Sequence, residues 1–206
     1  MRITKTILNS FIIASIAVLL SGCFGSSPSQ QQYLLNIKMP TSLKALKVNH
    51  TLKVLMTKSQ PQYNTSEFIY RISEYQYLSD YYHSFMVTPS QMVTQFTVGY
   101  LTQRHLFKTV TTEDSLLQSS EYELQPFVEA LYADYRDSAK PTAVIKIRYT
   151  LLDNQKHNHA VLLDHVFTES IPLTTKSSTA LIVAWNTGMQ RILSRLSNSL
   201  SGILSD

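Results

Sequence analysis

One cysteine and five glycines in 206 residues leave little room for several common kinds of chemistry. A single Cys excludes an intrachain disulfide, a cysteine-based zinc site and a cysteine-ligated cluster. So few glycines leave little from which to build a glycine-rich phosphate loop. Charged residues make up only 16% while hydrophobic residues make up 44%, which excludes a disordered chain and supplies a real core. The net charge of +4 is not gathered into the basic stripe of a nucleic-acid binder, so no nucleic-acid partner is expected. The sequence also lacks the G-x-S-x-G turn of α/β-hydrolases and any apolar run of ~20 residues that would span a bilayer.

What is there begins at the N-terminus. Arg2 and Lys5 precede an apolar segment, Ile7 to Leu20, broken only by Asn9, Ser10 and Ser15. A basic start, a short apolar run and small residues form a secretory signal. The segment closes on Leu20-Ser21-Gly22-Cys23, which resembles the lipobox of bacterial lipoproteins. There the Cys thiol takes a diacylglycerol, and small residues surround the bond that is then cut. The alternative is an ordinary signal peptide with a chance cysteine. Cys23 is the only Cys and stands at the lipobox position, so it is read as the lipidation site, after a signal at 1–22. The covalent lipid is the only attached group expected, with no metal and no other cofactor. Acyl chains on Cys23 would hold the protein stably at a membrane. The next residue is Phe24 rather than Asp, which by the sorting pattern of the class implies the periplasmic face of the outer membrane, with the inner membrane as the alternative. Cleavage removes Arg2 and Lys5, leaving 16 basic against 14 acidic side chains, a net of +2.

From Cys23 to Gln32 no apolar periodicity appears, so residues 23–32 read as a flexible tether and 33–206 as one folded domain. Short strands are expected at Tyr33 to Ile37 and Leu52 to Met56, with a turn at Pro61 to Asn64. The aromatic stretch that follows reads as a hairpin, Phe68 to Ile72 and Glu74 to Tyr82 or beyond. Thr88-Pro89 supplies a cap and a first-turn proline for a helix over Pro89 to His105, with Met92, Phe96, Tyr100 and Gln103 at helical spacing. Phe107 to Thr111 reads as a strand. Three longer strands follow, Tyr122 to Tyr135, Thr142 to Asp153 and Ala160 to Pro172, joined as an antiparallel meander. In the middle one, Ala143, Ile145, Ile147, Tyr149 and Leu151 share a face. The stripe Leu181, Trp185, Gly188, Met189, Ile192, Leu196, Leu200 and Ile203 marks an amphipathic helix over Leu181 to Leu204. The fold class is therefore α+β: a mixed, largely antiparallel sheet carrying two amphipathic helices.

Three constellations invite a chemical reading. His157, His159 and His165 have no carboxylates at ligand spacing, and a solvated turn explains them better than a metal. Asp80, His83 and Ser84 place acid, base and hydroxyl close in sequence, but on a regular strand His83 points away from the other two. Glu121, Glu123 and Glu129 share parity along one strand and suggest a solvated face rather than a cleft with paired carboxylates. No catalytic residue is expected. The tyrosines are the more informative feature. Tyr70, Tyr75, Tyr77, Tyr81 and Tyr82 crowd one stretch of a chain with 12 in all. Tyr joins a large apolar body to a polar tip, so this crowd is either a half-buried hairpin or a docking surface for a protein partner.

Phe68-Ile69-Tyr70-Arg71-Ile72, then Tyr81-Tyr82-His83-Ser84-Phe85, then Pro89 and a helix running to Leu106-Phe107-Lys108-Thr109-Val110, resemble the ABC-type transport auxiliary lipoprotein component family. Tyr33-Leu34-Leu35 and Tyr122-x-Leu124 fit the same pattern, as do Ala180, Ala184 and Asn186 opening the last helix; Phe85 stands where the family often has Trp. The resemblance implies a non-catalytic accessory subunit of an MCE-domain, paraquat-inducible (Pqi)-type lipid transport system. It also implies an MCE-domain protein as partner, attachment to the membrane by the acyl chains, and a possible homo-oligomer around a tube-like partner. A structural lipoprotein of a secretin, pilus or flagellar base is the rival reading, and a periplasmic hydrolase using His83 and Ser84 a weaker third.

Overall fold

The computed structural model describes residues 29–40, 49–115, 119–156 and 160–205; the signal segment, Cys23, His157 and His159 lie outside them. Its backbone is the meander of β7 (Tyr122–Asp134), β8 (Thr142–Asp153) and β9 (Ala160–Pro172), antiparallel throughout as the turns between them require. Burial along β8 alternates: Ala143, Ile145, Ile147, Tyr149 and Leu151 point inward, while Lys146, Arg148 and Thr150 are partly exposed. That period of two is what the sequence carries.

The other edge of β7 is served in instalments. β2 (Thr51–Val54) pairs with Tyr122 to Leu124, β3 (Lys58–Ser59) with Phe127 and Val128, and β4 (Glu67–Arg71) with Ala133 and Asp134. All three run parallel to β7. Pro126, which has no N–H to give, sits at the gap between the β2 and β3 pairings. β6 (Thr109–Thr112) flanks β2 in parallel, and β5 (Tyr77–Phe85) flanks β4 as the expected antiparallel hairpin. β1 (Gln31–Tyr33) closes that side, parallel to the end of β5. The sheet is thus mixed, with its long ladders antiparallel and its short ones parallel.

Two expectations shift in detail. The first strand lies at Gln31–Tyr33, upstream of Tyr33 to Ile37. Leu35 and Ile37 leave the ladder to enter the core, and the Asn36 N–H donates instead to Asn186 Oδ1 at 2.8 Å. The two-residue β3 carries too short a pattern to be seen in sequence.

Helix α1 (Pro89–Arg104) starts as expected, with Thr88 and Gln91 forming a capping box. It ends at His105, whose φ of 50° is the left-handed cap. Its buried face is rotated from the expected one, however. Met92, Val93, Thr97, Tyr100 and Leu101 are buried, whereas Phe96 is only partly covered and Gln103 is exposed. Two threonines enter the core because partners await them: Thr97 Oγ1 lies 2.9 Å from the Tyr149 hydroxyl, and Thr94 Oγ1 lies 2.8 Å from that of Thr57. Desolvation pushes the Tyr149 phenol well above its ordinary pKa, so it remains a neutral hydrogen-bonding group in the core.

Helix α2 (Ser178–Ser205) buries the predicted stripe, with Leu181, Trp185, Met189, Ile192, Leu196 and Leu200 fully enclosed. Gly188 is needed where α2 crosses β8, since a Cβ there would lie 2.9 Å from Ile145 Cγ2. Arg104 Nε donates to the buried Ser197 Oγ at 2.8 Å, joining the helices, and Arg191 and Arg195 pair with Glu169 on β9. Trp185 stands at the meeting point, with Phe68 and Phe85 each 5.2 Å away between ring centroids. Its indole N–H has no hydrogen-bond partner among the described residues, so its contribution is packing. Trp185→Ala should cost about 3–5 kcal/mol and Trp185→Phe much less, measured by urea unfolding. An unchanged midpoint for the alanine variant would show that α2 does not hold the β4–β5 hairpin.

Candidate functional site

The tyrosine-rich hairpin is where sequence and structure both concentrate unusual side chains. Its regularity breaks between Glu67 and Phe68, whose partners on β5 jump from Ser84 to Asp80. Tyr81, Tyr82 and His83 are therefore extra residues, bulged out of the ladder. The bulge is held by Asp80. Its Oδ1 accepts from the backbone N–H groups of Tyr82 at 2.8 Å and His83 at 3.2 Å. Its Oδ2 accepts from the Tyr70 hydroxyl at 2.5 Å and lies 2.7 Å from His83 Nδ1.

This corrects the expectation that His83 points away from Asp80: alternation fails where three residues are inserted. Asp80 is the only side-chain hydrogen-bond partner of the His83 ring among the described residues, and the ring packs beside Tyr33 and Phe68. Ser84 lies in the ladder opposite Glu67, without a hydrogen bond to His83. The arrangement is that of a structural clasp, which ties β1, β4 and β5 together.

The five tyrosines separate into two groups. Tyr70 is partly buried, stacks on Tyr135 at 5.3 Å and spends its hydroxyl on Asp80. Burial first, then the hydrogen bond to Asp80, pushes its phenol far up. The Tyr70 ring and hydroxyl are thus engaged within the fold. Tyr75, Tyr77, Tyr81 and Tyr82 are exposed, Tyr75 to 88% and Tyr81 to 68%, and Leu78 lies exposed among them. Tyr77 keeps one edge on Tyr132, and Tyr81 and Tyr82 meet edge to face at 5.3 Å. One side of the hairpin is thus half-buried and the other is an open aromatic strip.

The remaining constellations are structural. Arg148 bridges Glu129 at 2.9 Å and Asp164 at 3.1 Å on the outer face of the meander. Glu121 lies against His50 at 2.5 Å. His165 packs edge to face on Phe167 and is exposed. Among the described residues no three His, Cys, Asp or Glu side chains gather as metal ligands. A groove of about 550 Å³ beside the start of α1 is lined by Lys58, Ser59, Asn64, Thr88 and Gln91, with Met56 and Phe127. Its lining thus mixes polar side chains with the apolar Met56 and Phe127.

The described residues thus form a curled, mixed sheet carrying two helices. The model of the ABC-type transport auxiliary lipoprotein component family matches residues 33–197, and the chain belongs to that family. No curated protein sequence matches it. Solved structures share the fold. Protein XCC0632 from Xanthomonas campestris superposes with a TM-score of 0.73 at 16% identity, over 84% of this chain and 96% of the other. Protein CT253 from Chlamydia trachomatis gives 0.52 at 9% identity, over 74% and 98%. At such identities the likeness is one of fold.

Burial alone would raise the Asp80 carboxyl, but the hydrogen bonds from Tyr70, the Tyr82 amide and His83 together hold it below the usual carboxylate range. A depressed folded-state pKa gives stability that is complete above the unfolded value of about 4 and is lost as pH falls through the folded value. Asp80→Asn should therefore be less stable than the parent at pH 7, and the gap in urea midpoint should close as the pH falls from about 4 towards 2. Parallel pH profiles would show that the clasp does not depend on the carboxylate charge.

Proposed function

We propose that this chain is a non-catalytic accessory lipoprotein of an MCE-type, ABC-powered system that moves lipid between the two membranes of the envelope. Cys23 carries the acyl chains and holds the domain at the periplasmic face of the outer membrane. There it receives or steadies the far end of an MCE-protein tube rooted in the inner membrane, and several copies could surround one tube. The observation that carries this reading is the family match over residues 33–197, which opens ten residues after a lipobox cysteine. The site agrees with it, since the Asp80–His83 pair serves as a clasp. Energy and chemistry then come from partners, as a chain without a Walker motif requires.

The test is movement of pulse-labelled phospholipid between inner and outer membranes in a strain lacking the chain. Deletion should alter that movement and the wild-type chain should restore it. Cys23→Ala should accumulate as a folded periplasmic protein, leave the outer-membrane fraction and fail to restore it. Unaltered lipid movement in the deletion strain, together with loss of a pilus, secretin or flagellar base, would replace this reading with the structural one.

A further inference from the structure

We infer that the exposed tyrosine strip of β5 and the turn before it is a membrane-seating surface: Tyr75, Tyr81 and Tyr82 rest in the headgroup region of the bilayer that holds the Cys23 acyl chains. The inference rests on the anchor reading above and adds to it an orientation of the domain. It follows from the direction in which the chain leaves the fold. β1 runs parallel to β5, with Gln31 opposite His83 and Tyr33 opposite Phe85. Going backwards from Gln31, the chain therefore heads past Tyr82 and Tyr81 towards the hairpin turn at Tyr75. Gln30 shows this directly, its Nε2 donating to the Tyr81 carbonyl at 3.2 Å.

Reach then limits where the bilayer can be. Seven residues separate Cys23 from this fixed point, giving a span of at most about 24 Å. β7, by contrast, extends its thirteen residues over about 40 Å from Asp134 to Tyr122. The tether therefore sets the hairpin end of the molecule against the membrane and leaves the Tyr122 end projecting from it.

The chemistry of that end suits a lipid interface. Tyrosine prefers the headgroup level, where its ring is buried and its hydroxyl stays wet. Leu78 adds apolar surface to the strip. The turn between β7 and β8 is at the same end, since the Tyr135 N–H bonds the Arg71 carbonyl at 2.8 Å; so is the entry to α2, since the Leu173 N–H bonds the Pro141 carbonyl at 2.8 Å. These turns present Lys140 and Lys176, both exposed, whose ammonium groups can meet lipid phosphates from their flexible stems. The anchor itself brings the membrane to this end, and a protein partner at the same tyrosines is the alternative outcome of the experiment.

The experiment uses the full lipidated protein in vesicles of phosphatidylethanolamine and phosphatidylglycerol, with part of the lipid brominated near the ester end of its acyl chains. Tyr81→Trp and, separately, Tyr75→Trp place a reporter in the strip. Gln155→Trp places one at the opposite end, and the buried Trp185 gives a constant background. Brominated lipid should lower the emission of each strip reporter about twofold and leave the Gln155→Trp and parent proteins unchanged. Unquenched strip reporters on protein that carries an acylated Cys23 by mass spectrometry would overturn the proposal alone and leave the strip to a protein partner. An unacylated Cys23 would overturn the anchor reading and this proposal with it.

Discussion

The fold is organised by the need to pair both edges of β7. A strand at the centre of a sheet cannot leave its backbone N–H and C=O groups bare, since each unpaired group costs as much as a lost hydrogen bond. β8 serves one edge along its whole length. The other edge is shared among β2, β3 and β4, which meet it in chain order and in the same direction. Everything between residues 51 and 71 is spaced to make that possible. The parallel pairings also explain why α1 must lie between the hairpin and β6: a chain that returns to the start of β7 needs a long connection, and a helix supplies it.

Once β4 reaches the end of β7, its hairpin partner β5 lies near the sheet edge, flanked only by the three residues of β1, and needs support from outside the sheet. α2 supplies the apolar part through Trp185 against Phe68 and Phe85. Asp80 supplies the polar part, turning a bulge of three residues into an anchored feature. The bulge brings Tyr81 and Tyr82 to the surface and leaves His83 inside, so the clasp that stabilises the hairpin also creates the aromatic strip. β1 then pairs only with the last three residues of β5, which places the exit towards Cys23 beside that strip.

Much of this is legible in the sequence, and the failures have physical reasons. The β8 face and the α2 stripe are readable because a sustained period over a dozen or more residues admits one face only. The parallel pairing of β2, β3 and β4 with β7 is not, since it is decided by contacts between residues far apart in the chain. α1 misleads because Thr94 and Thr97 carry the buried face; a threonine in a core is recognisable only once its hydroxyl partner is known. Tyr33 to Ile37 misleads because Leu35 and Ile37 alternate like a strand yet bury against the helix side. At the candidate site, the crowd of tyrosines was visible, but which were spent on Asp80 and on Tyr135 was not. Alternation along β5 gave the wrong side for His83 because a bulge leaves no clear mark in a single sequence.

The chain thus combines a family-defining domain, a short tether and a surface of aromatic and basic side chains, in which ionisable groups stabilise structure. The central claim is that its partners are those of an ABC-type lipid transporter. Crosslinked capture of the lipidated protein from native membranes, followed by mass spectrometry, tests it most directly. The account predicts an MCE-domain protein together with the ABC ATPase or its multi-pass subunit. Recovery of a secretin, pilus or flagellar component alone would contradict it.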